Sequence, residues 1–268
     1  DLPLHVPGVT IDRQCGSSQQ SVHFGAQAVM SGTADLVVAG GVQNMSAIPI
    51  SSAMEVGKEF GFETPFTGSV GWEARFGDQE ISQFNGAEMM VKKWGITREE
   101  LDELAINSHL RAIKATEEGR FKNEILPING IEHDEGMREP NPEKMASLQP
   151  LVEGGSLTAA HASQISDGAT AILVASEQAV KDHNLTPRAR VHHISVLADD
   201  PVMMLSAPIP ATKRAFEKTG MTVDDIDLVE INEAFAPVVL AWLKETGMDY
   251  EKVNVNGGAM ALGLSLIH

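Results

Sequence analysis

Apolar and polar positions along this chain of 268 residues switch repeatedly between a strand-like alternation and a helix-like spacing. Val6 to Gln14 reads as a strand, and Gly16 to Ser31, rich in Ala, Ser, Gln and Gly, reads as the helix that follows. "TADLVVAGG" is then a second apolar strand that ends on Gly40 and Gly41. From Asn44 to about Pro150 the texture changes, with glycine-rich turns ("GKEFGFETPFTGSVGWEARFGD") giving way to charged helical stretches. In the helix after Thr97, the residues Leu101, Leu104, Ala105, Ser108 and Ala112 share one face, and Glu99, Glu100, Glu103 and Arg111 are expected to face water.

The earlier pattern returns at "HASQISDGATAILVASEQAV", where Ala169 to Val174 is a strand and a helix follows. It continues through the strand of "ARVHHISVLAD", the helix of "ATKRAFEKTG", and the strand-to-helix mouths in "DLVEINEAF" and "KVNVNGGAMALG". Each of these mouths repeats the logic of the opening stretch, a strand that delivers polar or glycine residues to the start of a helix. The alternation predicts an α/β class with two similar halves and an inserted subdomain between parts of the first.

Composition narrows the setting. With 43% hydrophobic and 21% charged residues the chain can bury a substantial core. It has 1 cysteine, hence no internal disulfide. No secretory segment opens it, and no apolar run approaches the roughly 18 residues that span a bilayer. These features predict a cytoplasmic protein without a membrane partner. The formal charge of -17, from 20 Lys and Arg against 37 Asp and Glu, repels a polyanion and excludes duplex nucleic acid as a partner.

The candidate chemistry begins with the lone thiol. Cys15 stands where the strand of "VTIDRQ" meets the helix, and unpaired backbone N–H groups with the positive end of a helix dipole stabilise a thiolate there. A nucleophile with a lowered pKa is the expectation. Gly16 removes bulk beside the sulfur, and Ser17 and Ser18 leave room for a substrate. Asn232, at the end of "DLVEI", offers a neutral amide that can hold a water against an oxyanion, or can simply cap a helix. Among the 9 histidines, His109, His133, His192 and His193 read as structural or surface residues, and none has metal-ligand spacing with a second ligand.

Taken in order, "DRQCGSS", "AGGVQNMS", "HASQISDGA", "APIPA", "INEAF" and "NVNGGAMALG" resemble the thiolase family over essentially the whole chain up to Gly263. The likeness is to its degradative 3-ketoacyl-CoA branch, and within that to actinobacterial members, including those acting on steroid side chains. The resemblance implies a duplicated, layered α/β/α/β/α fold with an inserted loop domain that holds coenzyme A. On that basis residues 1–44 and 166–186 form the N-terminal half, 45–165 the inserted domain and 187–268 the C-terminal half.

It also implies that Cys15 accepts the acyl group, with its backbone N–H in one oxyanion hole, and that Asn232 positions the water of the other. Ala159 and Ser163 match coenzyme-contacting positions, Ala234 and Phe235 line the pantetheine or acyl tunnel, and Met204 matches a wall of the acyl pocket. The implied activity is acetyl-CoA C-acyltransferase, acting in lipid and fatty-acid β-oxidation or in the reverse condensation. Acyl-CoA and coenzyme A are its substrates, with no metal or other cofactor, and the assembly is a homodimer or homotetramer. The alternatives are a ketoacyl synthase-like condensing enzyme and a non-catalytic coenzyme A-binding or assembly protein.

The departures from the family pattern carry expectations too. Leu264 stands where the family has the histidine that activates the nucleophile, His268 is no substitute, and the family's second catalytic cysteine has no counterpart. Few residues precede the nucleophile strand. The chain therefore reads as cut at both ends and lacking part of the catalytic machinery. Leu205 and Ala207 replace glycines of many short-chain members, and "ISQFNGAEMM" lacks the His-Met pair that narrows the pocket of acetoacetyl enzymes.

Overall fold

The structure is a computed structural model that describes residues 2–66, 68–79 and 81–263. In chain order its elements are α1 (Ser17–Met30), β1 (Leu36–Gln43), α2 (Ser52–Glu55), α3 (Val70–Phe76), α4 (Gln83–Trp94), α5 (Arg98–Glu117) and α6 (Pro142–Ala146), followed by β2 (Gly168–Ala175), α7 (Glu177–Asp182), α8 (Pro208–Thr219), α9 (Ala236–Thr246) and α10 (Ala259–Leu262). The described residues divide into two compact units, 2–48 with 165–194, and 49–164 with 195–263.

In the first unit β1 and β2 pair antiparallel, from Leu36 opposite Ala175 to Gln43 opposite Gly168. Alternation turns Val37 and Ala39 toward α1, where Ala26, Ala39 and Val174 make a small core with Val22, Val29, Val191 and Ile194 packed around it. Leu36, Val38, Val42 and Leu173, on the opposite face, are exposed. Two quoted motifs meet here, because the Ser46 N–H donates to Asp167 Oδ1 at 2.9 Å.

The expected strands at Val6 to Gln14 and in "ARVHHISVLAD" form no ladder with any described residue. Apolar alternation reports only that one side of a segment is buried, whereas a strand also needs a neighbour's N–H and C=O groups. Val191 and Ile194 do pack against the small core.

The second unit joins residues read as an insertion to residues of the C-terminal half in one core, which includes Met90, Leu101, Leu157, Val239, Trp242 and Met260. Helix α5 starts at a capping box: Glu100 N–H donates to Thr97 Oγ1 at 3.2 Å and Thr97 N–H donates to Glu100 Oε2 at 2.7 Å. Its buried face carries Leu101, Leu104, Ala105, Ser108, His109, Ala112 and Ala115.

Arg111 departs from the expectation that it faces water. Its Nη1 donates to the carbonyls of Val253 at 2.6 Å and Tyr250 at 3.2 Å, and its guanidinium lies 4.0 Å from the Tyr250 ring centroid. The long side chain reaches around the helix from a half-buried position. Helix α9 begins with Pro237 in its first turn and ends at Gly247 in the left-handed conformation. The predicted strands before and after α9 shrink to a single parallel bridge between Val229 and Val253.

Candidate functional site

Cys15 lies in a 3-10 turn, Gln14–Gly16, that runs directly into α1. Gln14 takes a left-handed backbone, φ 48°, a conformation that costs a residue with a Cβ about 1–2 kcal/mol. Neighbouring hydrogen bonds hold it: Gln14 N–H donates to Asp12 Oδ1 at 2.8 Å, and Ser17 Oγ donates to the Gln14 carbonyl at 2.7 Å. Ser17 Oγ also accepts from Arg13 N–H at 2.9 Å. The braced turn leaves Cys15 exposed.

The thiol pKa, however, is raised above its ordinary value, which corrects the expectation drawn from the helix mouth. Although the residue as a whole is exposed, partial burial of the sulfur outweighs the hydrogen bond it receives from its own backbone. His23, farther along α1, is held below the usual imidazole value by desolvation and by the Arg13 charge.

The remaining predicted residues belong to the second unit. Three of them meet in the segments of "HAS" and "NEAF": Ser163 N–H donates to the Ala234 carbonyl at 3.0 Å, and Ala162 and Phe235 form an antiparallel bridge. Phe235 is buried and meets the edge of Phe84 with ring centroids 5.6 Å apart. Asn232 is exposed, while its neighbour Glu233 is fully buried. The backbone therefore sends the amide outward and the carboxylate inward.

Ala159 is exposed on a 3-10 turn, Ala159–His161, four residues before Ser163. Met204 is placed on a separate loop, exposed and in a left-handed conformation with φ 49°. Its N–H donates to the Asp200 carbonyl at 2.8 Å, and Asp200 Oδ1 accepts from Val202 N–H at 2.8 Å. Leu264 and His268 lie outside the described residues.

Sequence reasoning missed the residues that hold these segments together. Gln164 Nε2 donates to the carbonyls of Gly136, Met260 and Ala261 at 2.8 to 2.9 Å, while its Oε1 accepts from Arg138 Nη1. Glu233 accepts from Ser108 Oγ at 2.6 Å, Asn254 Nδ2 at 3.0 Å and Met260 N–H at 3.1 Å. Its carboxyl pKa is raised because burial outweighs these donors. The signal available was a glutamate placed directly before the apolar run "AFAPVVLAW", where a charge has to find buried partners.

Among the described residues, no group of three or more His, Cys, Asp or Glu is arranged to hold a metal ion. No described helix is long and apolar enough to cross a membrane. A cavity of 410 Å³ opens between Met54, Val56, Phe62 and Pro65, and none of the predicted site residues lines it.

Residues 1–178 match the family model described as Thiolase, N-terminal domain, and residues 185–266 match Thiolase, C-terminal domain. The chain is 64% identical over 265 residues to the steroid 3-ketoacyl-CoA thiolase FadA6 of Mycobacterium tuberculosis, covering 97% of this chain and 65% of that protein. It is similar to the crystal structure of human mitochondrial 3-ketoacyl-CoA thiolase, with TM-score 0.83 and 35% identity over 99% of this chain and 70% of that one. It is also similar to the dimeric peroxisomal thiolase of Saccharomyces cerevisiae, with TM-score 0.84 and 33% identity over 98% of this chain and 67% of that one.

Proposed function

Since this chain belongs to the thiolase family and has its α/β fold, we propose that Cys15 is the nucleophile of an acyl transfer that cleaves a 3-ketoacyl-CoA with coenzyme A, a reaction that also needs the activating histidine and second cysteine which this sequence lacks. The observation that carries this reading is the exposed Cys15 on a braced, left-handed turn at the start of α1. In the first step a base takes the thiol proton as Sγ attacks the 3-keto carbon. The bond between C2 and C3 then breaks, and the acetyl-CoA enolate leaves and takes up a proton. In the second step the thiol of free coenzyme A loses its proton and attacks the acyl-cysteine, releasing the shortened acyl-CoA and restoring the Cys15 thiol.

The Asn232 amide, exposed beside the buried Glu233, is suited to hold a water that donates to the developing oxyanion. Ala159 and Ser163 are assigned to coenzyme A, and Ala234, Phe235 and Met204 to the pantetheine arm and acyl chain. The raised thiol pKa makes the protonated form the resting state, so proton removal belongs to the attack step.

The relative from Mycobacterium tuberculosis is named for steroid 3-ketoacyl-CoA, and its 64% identity supports a steroid-derived acyl chain as the substrate class. The same resemblance favours thiolysis over a synthase-like condensation or a purely coenzyme-binding role. Exposed Val38, Val42 and Leu173 on the sheet, together with the dimeric yeast relative, support a homodimer. The chain spans 65% of the mycobacterial relative's length.

The test, on the protein completed with the histidine and second cysteine of the family pattern, follows loss of 3-ketoacyl-CoA on adding coenzyme A, with peptide mass spectrometry of the trapped acyl-enzyme. The expected result is acylation at Cys15 and loss of turnover in Cys15→Ala. Undiminished turnover in that variant, or acylation elsewhere, refutes the reading.

A further inference from the structure

We propose that Glu233 is a positioning residue for the segment bearing Asn232, and that it acts as an acceptor at both oxygens with Asn254 as its matched donor. This inference rests on the proposed role of Asn232. Glu233, Asn254 and Ser108 are all buried, with 0%, 1% and 1% exposure, so none can turn to water for a missing partner.

The backbone determines the direction of the bonds that Asn254 makes. Asn254 Oδ1 accepts from Ile231 N–H at 2.8 Å and its Nδ2 donates to the Ile231 carbonyl at 2.9 Å, so the backbone on both sides fixes which end of the amide is which. The same Nδ2 then donates to Glu233 Oε1 at 3.0 Å. Ser108 Oγ accepts from Gly258 N–H at 3.1 Å, which leaves its own proton for Glu233 Oε2 at 2.6 Å. Met260 N–H adds a second donor to Oε2 at 3.1 Å. Three donors converge on one carboxylate.

The segment from Asn254 to Met260 is shaped around that carboxylate. Asn254 adopts φ 47°, a left-handed conformation that asparagine tolerates better than most residues. A Cβ at Gly258 would overlap the Glu233 carboxylate. One carboxylate therefore ties three segments together: the one bearing Asn232, helix α5 through Ser108, and the start of α10 through Met260. Asn232 projects outward from the residue before this anchor. Its amide can hold a water in one place only if the backbone beneath it is fixed.

The glutamine analogue tests direction, because it has the same size and lacks only the second acceptor. If its amide nitrogen takes the place of Oε1, it faces Asn254 Nδ2; if it takes the place of Oε2, it faces Met260 N–H. Either orientation sets donor against donor. Exchanging polarity on both sides, Glu233→Gln with Asn254→Asp, restores a donor–acceptor pair across the contact, at the cost of the bond to the Ile231 carbonyl.

The experiment measures amide hydrogen exchange at Gly258 and Met260 together with kcat and KM for thiolysis. Glu233→Gln and Asn254→Asp are each expected to speed exchange and lower kcat by about tenfold or more, with KM changed by less than about threefold. The double variant is expected to recover at least about tenfold in kcat over Glu233→Gln. Should Glu233→Gln fail to fold, Ser108→Ala decides: faster exchange at Gly258 with kcat down about fivefold supports the proposal, and unchanged values overturn it. Exchange and kcat for Glu233→Gln within about twofold of wild type, or a double variant as impaired as that single, also overturn it. A wild-type protein without thiolysis overturns the proposed function instead, and exchange at Met260 still decides whether Glu233 holds the segment.

Discussion

His161 Nε2 lies 2.8 Å from Asp102 Oδ1, while His161 Nδ1 accepts the Thr158 N–H at 3.0 Å. The second bond fixes the tautomer, since a ring nitrogen that accepts carries no proton and Nε2–H must be the donor to Asp102. A fully buried imidazole thereby attaches the turn bearing Ala159 to helix α5. Burial is the largest influence on its pKa and holds it below the usual value, against the opposing pull of Asp102.

Buried neutral histidines make the fold sensitive to acid. His109 is pushed down to about 4, chiefly by burial and further by the Arg138 charge. An unfolded chain takes up a proton near pH 6.5 that the folded site refuses, so stability is lost as pH falls from that point toward 4. At pH 5 the His109 contribution is on the order of 2 kcal/mol. Glu230, pushed up to about 7 by desolvation and the Glu233 charge, binds a proton in the folded state over an overlapping range and works the other way. The histidine effect is therefore read as a difference. In urea titrations at pH 7 and pH 5, wild type is expected to lose more stability than His109→Asn, and parallel losses refute the assignment.

Thr97 caps α5 from both directions, its hydroxyl accepting the Glu100 N–H while Glu100 returns the bond to the Thr97 N–H. Thr97→Ala is expected to cost about 1 kcal/mol in urea unfolding, and Thr97→Ser only a few tenths. Equal losses in the two variants would show that the methyl group, and not the cap, carries the effect.

The cap and the face of α5 were legible in the sequence because both depend on residues within a few turns of one another. The same local logic located α1, β1 and β2. What was not legible depends on partners distant in the chain. Val6 to Gln14 alternates as a strand does, yet no described neighbour offers it a ladder. Arg111 reads as a surface charge, and it becomes structural only because the carbonyls of Tyr250 and Val253 arrive beside it. Cys15, Asn232 and Ser163 stood out through short motifs, whereas Gln164 and Glu233 sat inside those motifs unnoticed. Their roles are hydrogen bonds across long sequence separations, which spacing does not encode.

Gly257 has φ 83°, and a Cβ there would stand 2.6 Å from Ala112 Cβ and 2.7 Å from the Ser108 carbonyl oxygen. Gly257→Ala combines left-handed strain with overlap against the backbone of α5, for an expected loss of about 3 kcal/mol or more. Thermal unfolding measures it. A loss under about 1 kcal/mol would mean that α5 and this segment separate easily.

The thiol makes the sharpest contrast between the sequence and the structure. A cysteine at a helix mouth is expected to ionise early, but around Cys15 desolvation prevails over the hydrogen bond from its own backbone and raises the pKa. Alkylation by iodoacetamide follows the thiolate fraction, so its pH profile is expected to have a midpoint above that of free cysteine in the same buffer. The turn that carries the thiol can be tested separately. Asp12→Ala removes the acceptor for Gln14 N–H and frees a residue held at φ 48°. That variant is expected to lower turnover, because a looser turn positions the nucleophile less well. A wild-type midpoint below that of free cysteine would restore the helix mouth as the dominant influence. The thiolate would then stand ready before substrate arrives, with no need for a base to act in the attack step.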